Sequence, residues 1–254
     1  MGGTPRPGRV LALAFPLILV AASCGAVSSA PSGGDSTPVT FRTSDGVQLS
    51  GRLFGPTDAL QGVVLTHMLP ADQTSWFPEA AHLAQQGYQV LTFDLRGYCP
   101  GGAGGCSQGT KDPGAAATDV TAALAELRRH GPQRVALLGA SVGGTASLIA
   151  ASQDGNVPAV ITLSAPLQIG TLAATPQILG ALDAAKLYIA GLGDPTGAAQ
   201  AAQSLYDLSP QPKRLDIVTT DAHGTDLFAS SQGTSVALAI DQWLQLHLQN
   251  GGAT

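Results

Sequence analysis

From residue 39 onward, short runs of apolar residues alternate with stretches in which apolar positions recur every three or four residues. The runs GVVLT (62–66), YQVLTF (88–93), RVALL (134–138), AVITL (159–163), KLYIA (186–190) and LDIVT (215–219) are rich in Val, Ile and Leu. Strands covered on both faces read this way, because neither face meets water. Ahead of them, VTFRT and VQLSGRLF flank Ser44-Asp45-Gly46, a turn signal that predicts a hairpin. Val120, Ala123, Leu124 and Leu127 follow i, i+3, i+4, i+7 spacing, with Arg128, Arg129 and His130 in the last turn and Gly131 as the stop. Val236, Ile240, Trp243, Leu244 and Leu248 mark a closing helix in the same manner. An antiparallel start followed by strand–helix alternation predicts one α/β domain over 39–249, built on a doubly wound, mostly parallel sheet.

The front of the chain reads differently. Arg6 and Arg9 precede an apolar run over 11–22, broken only by Pro16. A charged start and a short apolar core are the parts of a secretory signal, and the run is too short to span a bilayer comfortably. It ends Val20-Ala21-Ala22-Ser23-Cys24, which resembles the bacterial lipoprotein signal. That resemblance implies a signal peptide over 1–23, lipidation of Cys24, and a place on the outer face of the bacterial cell membrane; an ordinary secretory cleavage would leave the protein secreted. Residues 24–38, dominated by Gly, Ser and Pro, read as a flexible tether, and 250–254 as a disordered tail.

Composition narrows the choices. The 254 residues are 44% hydrophobic and 11% charged, with 12 Lys+Arg against 17 Asp+Glu. Wholesale disorder needs the opposite balance. Nucleic acid is excluded as a partner, since no basic excess exists to neutralise phosphates. Without 1–23 two arginines go and the net charge falls to −7, so anionic lipid would repel the body and membrane contact would run through a lipid at Cys24 alone. Of three cysteines, Cys99 and Cys106 bracket a Gly-rich loop that can close into a disulfide in an oxidising compartment, leaving Cys24 over. Two cysteines with no neighbouring His or second pair do not meet zinc spacing, so no metal is expected.

The candidate chemistry starts where RVALL runs into Gly139-Ala140-Ser141-Val142-Gly143-Gly144, followed by the helix-compatible TASLIAAS. This is G-x-S-x-G between a strand and a helix, a turn so tight that side chains at 139 and 143 would strike backbone. On these residues the chain resembles the α/β-hydrolase fold, close to its dienelactone-hydrolase-like and small serine esterase branches, over about 38–249. The resemblance implies an acid and then a histidine downstream of Ser141. No Glu follows Glu126, and the histidines after Ser141 are His223 and His247. His223 lies just after LDIVT, where the family places its base, whereas His247 falls in the closing helix. Asp194 directly follows KLYIA, at the family's acid position; Asp154, Asp183, Asp207 and Asp216 fall in helix ends, connections or a strand, and Asp221 sits too near His223 in sequence. The expected triad is therefore Ser141, Asp194 and His223.

The same resemblance assigns the oxyanion hole to the backbone N–H groups of Val142 and Met68. Met68 replaces the family's usual Gly, and its side chain is expected to point into the acyl pocket. His67, Asp94 and Arg96 are expected to be structural, while Trp76 and Phe228 could line a pocket or belong to the core. The connection over 164–185 has 22 residues, enough for one helix and not for a cap domain. The implied activity is that of an exported serine hydrolase cleaving carboxylic esters of small to medium size, without a cofactor. A thioesterase, amidase, peptidase or acyltransferase with the same triad, or a binding module that kept only the fold, stays open at this point.

Overall fold

The computed structural model describes residues 1–4, 36–99 and 106–249. The expected signal segment, Cys24, most of the tether and the tail lie outside the described residues. The chain divides into a unit of Met1–Ala30 and one of Pro31–Thr254, and all of the described strands and helices belong to the second.

Strands β1 (Ser36–Arg42) and β2 (Gln48–Phe54) pair antiparallel, with Val39 opposite Gly51 and Phe41 opposite Leu49. Strand β1 starts at Ser36, so 36–38 belong to the sheet and not to the tether. Their side chains bury little. Backbone pairing draws them in, and Arg52 donates to the Ser36 hydroxyl at 2.7 Å. Pro38 is tolerated because β1 is an edge strand. Next come β3 (Gln61–Thr66), α1 (Phe77–Gln85), β4 (Gln89–Phe93), α2 (Ala116–Arg129), β5 (Arg134–Ala140), α3 (Val142–Asp154) and β6 (Ala159–Leu163). A ribbon of two-residue strands, β7 (Gln168–Ile169) and β8 (Leu172–Ala173), and the short helix α4 (Pro176–Gly180) fill the connection to β9 (Ala185–Gly191). Helix α5 (Ala198–Leu208), β10 (Lys213–Val218) and α6 (Gly233–Leu244) complete the alternation. Among the described residues no cap domain interrupts it.

The main sheet has eight strands in the order β1-β2-β4-β3-β5-β6-β9-β10, parallel from β4 onward. Its two faces carry separate cores. One gathers Val120, Ala123, Leu124 and Leu127 of α2 with α3 and α5. The other gathers Ala80 and Leu83 of α1 with Val236, Ile240 and Leu244 of α6. Both predicted helical stripes thus face the sheet, each large apolar side chain contributing ~1.5–3 kcal/mol on burial. Trp76 is fully buried and meets Phe228 edge-on at 5.9 Å, so both belong to the second core. No described helix is long and apolar enough to cross a membrane.

Strand order fixes where a ligand can enter. The chain passes from β3 outward to β4, then returns to β5 on the other side of β3. At such a reversal the following loops diverge, and a crevice opens at the carboxyl ends of the strands.

Candidate active site

Ser141 sits at that crevice, directly after β5, and caps α3. Its backbone is at φ 50, ψ −121, outside the basins that L-residues favour. Only surrounding structure can hold such a conformation, which costs ~1–3 kcal/mol. The surroundings here are backbone. The Ser141 N–H donates to the Leu163 carbonyl of β6 at 2.8 Å. A Cβ on Gly139 would overlap the carbonyl of Gly143, and a Cβ on Gly143 would overlap the carbonyl of Thr66 at the end of β3. The two glycines let strand, turn and helix approach closely enough to lift the hydroxyl above the sheet.

Asp194 and His223 reach the same edge from β9 and β10. His223 Nδ1 lies 2.7 Å from Asp194 Oδ2. The Asp194 side chain is fully covered, whereas that of His223 is 23% exposed, so the imidazole is free to meet a ligand. On its other oxygen, Asp194 accepts from the N–H of Thr196 at 3.0 Å and from its hydroxyl at 2.8 Å. Burial disfavours the Asp194 carboxylate, but these two bonds and His223 outweigh it and hold the group below its ordinary value. The Thr196 hydroxyl also lies 3.3 Å from His223 Nδ1. Thr196 escaped the sequence reading, although Asp194-Pro195-Thr196 is a signal for a side-chain-to-backbone turn.

Ser141 and His223 open onto one cleft of about 340 Å³ lined with Leu69, Pro166, Ile169 and Ala198. Val142 opens α3, so its N–H precedes the first intrahelical bond and is free to face a ligand. Met68 follows β3 as expected, but its side chain turns away from the cleft. It packs beneath the base loop, its sulfur 3.8 Å from the Thr225 hydroxyl and against Gly224, where a Cβ would press on that sulfur. The expected role in the acyl pocket passes to Leu69, because the apolar thioether gains more from the core on that face.

The neighbouring residues prove structural. His67 is fully buried; its Nε2 accepts from the Leu95 N–H at 3.0 Å, which leaves Nδ1 to donate to the Met68 carbonyl at 2.9 Å. Burial lowers its pKa to about 4, so it stays neutral. Asp94 accepts from the backbone and side-chain nitrogens of Gln73 at 3.0 and 2.6 Å. Arg96 bridges Asp119 and Asp45, each at 2.7 Å. Cys99 and Cys106 are joined in a disulfide, with Tyr98 and Ser107 paired beside it through a backbone bond of 3.0 Å. His247 lies in the wide final turn Gln245–Gln249 and packs tilted against Trp243, ring centroids 4.2 Å apart.

A family model described as the alpha/beta hydrolase fold matches residues 63–243, from β3 through α6. The chain belongs to the α/β-hydrolase fold family. Among curated proteins, this α/β-hydrolase is 28% identical over 222 residues to the uncharacterized protein YfhR of Escherichia coli O157:H7, covering 77% of this chain and 75% of YfhR. Among solved structures it resembles the Pyrococcus furiosus esterase Pf2001, with a TM-score of 0.70 at 18% identity, covering 84% of this chain and 93% of the esterase. It also resembles a dienelactone hydrolase from Anabaena variabilis, with a TM-score of 0.67 at 23% identity over 84% and 98% of the two chains. At these identities the likeness speaks for the shared α/β-hydrolase architecture.

Proposed function

We propose that the protein is a serine hydrolase that cleaves carboxylic esters of small to medium size through an acyl-enzyme. One observation carries the reading: a serine strained at φ 50 opens onto the same cleft as a histidine whose far ring nitrogen is 2.7 Å from a covered carboxylate. A serine hydroxyl is a weak nucleophile at its own pKa and needs a base. In this reading His223 takes the Ser141 proton during attack on the ester carbonyl and returns it to the departing alcohol. Asp194 holds the imidazole with its proton on Nδ1 and stabilises the imidazolium that forms. The tetrahedral oxyanion is received by the N–H of Val142, with the N–H of Met68 as second donor, each worth ~3 kcal/mol. A water then repeats the sequence and releases the acid.

Apolar side chains and about 340 Å³ of space suit a modest acyl group, and no cap domain among the described residues covers the cleft. The full chain should react with a fluorophosphonate probe and hydrolyse p-nitrophenyl acetate or butyrate, while Ser141→Ala should do neither. An unlabelled wild-type protein that is properly folded would defeat the proposal. Thioester and anilide substrates in the same panel rank the alternative leaving groups.

The expected export belongs to the same proposal and rests on sequence alone. Lipidation at Cys24 would place the domain on the outer face of the cell membrane. Mass spectrometry of the processed N-terminus tests it, and an unmodified Cys24 or cleavage elsewhere removes the anchor.

A further inference from the structure

Away from the cleft, on the face of the sheet covered by α1 and α6, three side chains from two distant helices converge. Glu79 and His82 stand three residues apart on α1, a spacing that puts both on one helix face. Asp241 faces them from α6. One ligand-competent atom of each lies within 4.8 Å of the other two. His82 Nε2 is 3.0 and 3.1 Å from the two carboxylate oxygens of Asp241.

Two features of this cluster lack an internal solution. Glu79 is only 6% exposed, and its Oε1 has no hydrogen-bond partner among the described residues. A buried carboxylate oxygen with nothing to bond to is costly. The second feature concerns one nitrogen. His82 Nε2 is 2.8 Å from the Gln86 side-chain nitrogen, which asks it to accept, while the two Asp241 oxygens ask it to donate. A single ring nitrogen does not do both. A cation at the centre resolves the conflict: the imidazole lone pair and both carboxylates would point at it. Gln86, whose side-chain nitrogen is 2.9 Å from Asp241 Oδ1, would still orient that carboxylate from outside.

We propose that Glu79, His82 and Asp241 form a binding site for a divalent first-row transition cation, Zn²⁺ foremost, which clamps α1 to α6. Imidazole nitrogen and carboxylate oxygens are zinc ligands, and three of them with a water complete a tetrahedron, whereas Mg²⁺ prefers an all-oxygen octahedron. An open cleft of about 550 Å³, lined by Glu79, His82, Thr225 and Asp226, gives the ion and its water a way in. The same cleft borders the Gly224–Ala229 turn that follows His223, so the ion's role is to stiffen the ground beneath the base loop without touching the ester.

The test uses the full chain carrying His223→Ala, which removes the other accessible carboxylate-paired imidazole near the cleft and leaves the proposed ligands intact. Titration of the chelator-treated protein with ZnCl₂ should show one equivalent bound, with a Kd on the order of 1 μM. At ~100 times that concentration the thermal midpoint should rise by ~5–10 °C, and MgCl₂ should leave it unmoved. Adding Asp241→Asn or His82→Ala should weaken binding at least ~10-fold, and Gln86→Ala about 10-fold. Circular dichroism in chelator confirms that each variant is folded. Should one unfold, the Co²⁺ absorption spectrum of the parent protein reports imidazole–carboxylate ligation directly. No bound equivalent in the parent, equal binding in folded Asp241→Asn, or a Co²⁺ spectrum like that of the aqueous ion would each overturn the site. Because the protein tested lacks the proposed base, the result is independent of whether the protein is an esterase.

Discussion

Thr196→Val gives the sharpest test of how the candidate acid is held. The substitution keeps the β-branched shape and the backbone N–H, and it deletes one hydroxyl. That hydroxyl donates to Asp194 Oδ1 at 2.8 Å, leaving the oxygen with the N–H at 3.0 Å as its remaining partner there. The carboxylate is fully covered, so water does not readily replace the lost donor. A hydrogen bond to a charged group contributes ~1.5–3 kcal/mol, and for a covered acceptor that keeps one donor we take about 2 kcal/mol. The sign with pH follows from Asp194 being held below its ordinary value by these bonds. A depressed carboxyl stabilises the fold above its unfolded pKa, and this contribution disappears as pH falls through the folded one. Urea unfolding should therefore show Thr196→Val about 2 kcal/mol less stable at pH 7, with the gap closing toward pH 3. In the proposed reaction the variant keeps the bond between Asp194 and His223, so kcat/KM on p-nitrophenyl acetate should drop ~10-fold. Asp194→Asn, which disturbs the imidazole tautomer itself, should cost on the order of 10⁴. Thr196→Ser should restore most of both losses. Wild-type stability and kinetics in Thr196→Val, or a stability loss that is the same at both pH values, would refute the reasoning.

Other perturbations separate structure from chemistry. Asp119→Asn removes the fully buried partner of Arg96 and leaves the guanidinium with the more exposed Asp45; denaturation should show a loss of ~3 kcal/mol. Gly143→Ala drives a methyl into the carbonyls of Thr66 and His67, so about 3 kcal/mol of stability and most of the fluorophosphonate labelling should go together. Burial raises the Asp94 pKa from 3.8 to about 6, so between those values the unfolded chain gives up a proton that the fold retains, and the wild type loses stability as pH rises. Asp94→Asn removes this titration; in urea melts its stability relative to wild type should improve from about pH 4 to pH 6 and level off above. A flat difference across that window would show that burial leaves the Asp94 carboxyl unshifted.

The strands, the two amphipathic helices and the elbow were legible in the sequence because each depends on local pattern. Val/Ile runs mark the parallel strands, the stripe from Val120 to Leu127 marks α2, and the paired glycines around Ser141 are demanded by the turn itself. Asp194 and His223 could be named as candidates because the α/β-hydrolase resemblance implies an acid and then a base after Ser141, and each of the two directly follows a strand. What the sequence alone did not yield is whatever depends on which surfaces meet. Met68 has no local reason to choose the core over the cleft; the shape beneath Gly224 decides it. Ser36–Pro38 look like linker until backbone pairing with β2 draws them into the sheet. Thr196 announces a turn, but its contact with Asp194 beside His223 exists only once β9 and β10 lie side by side. The Glu79–His82–Asp241 cluster is the extreme case. Asp241 lies some 160 residues beyond Glu79 and His82, and zinc spacing sought among the cysteines could not find them, because packing of α1 and α6 on one face of the sheet is what brings their charges within reach of one another.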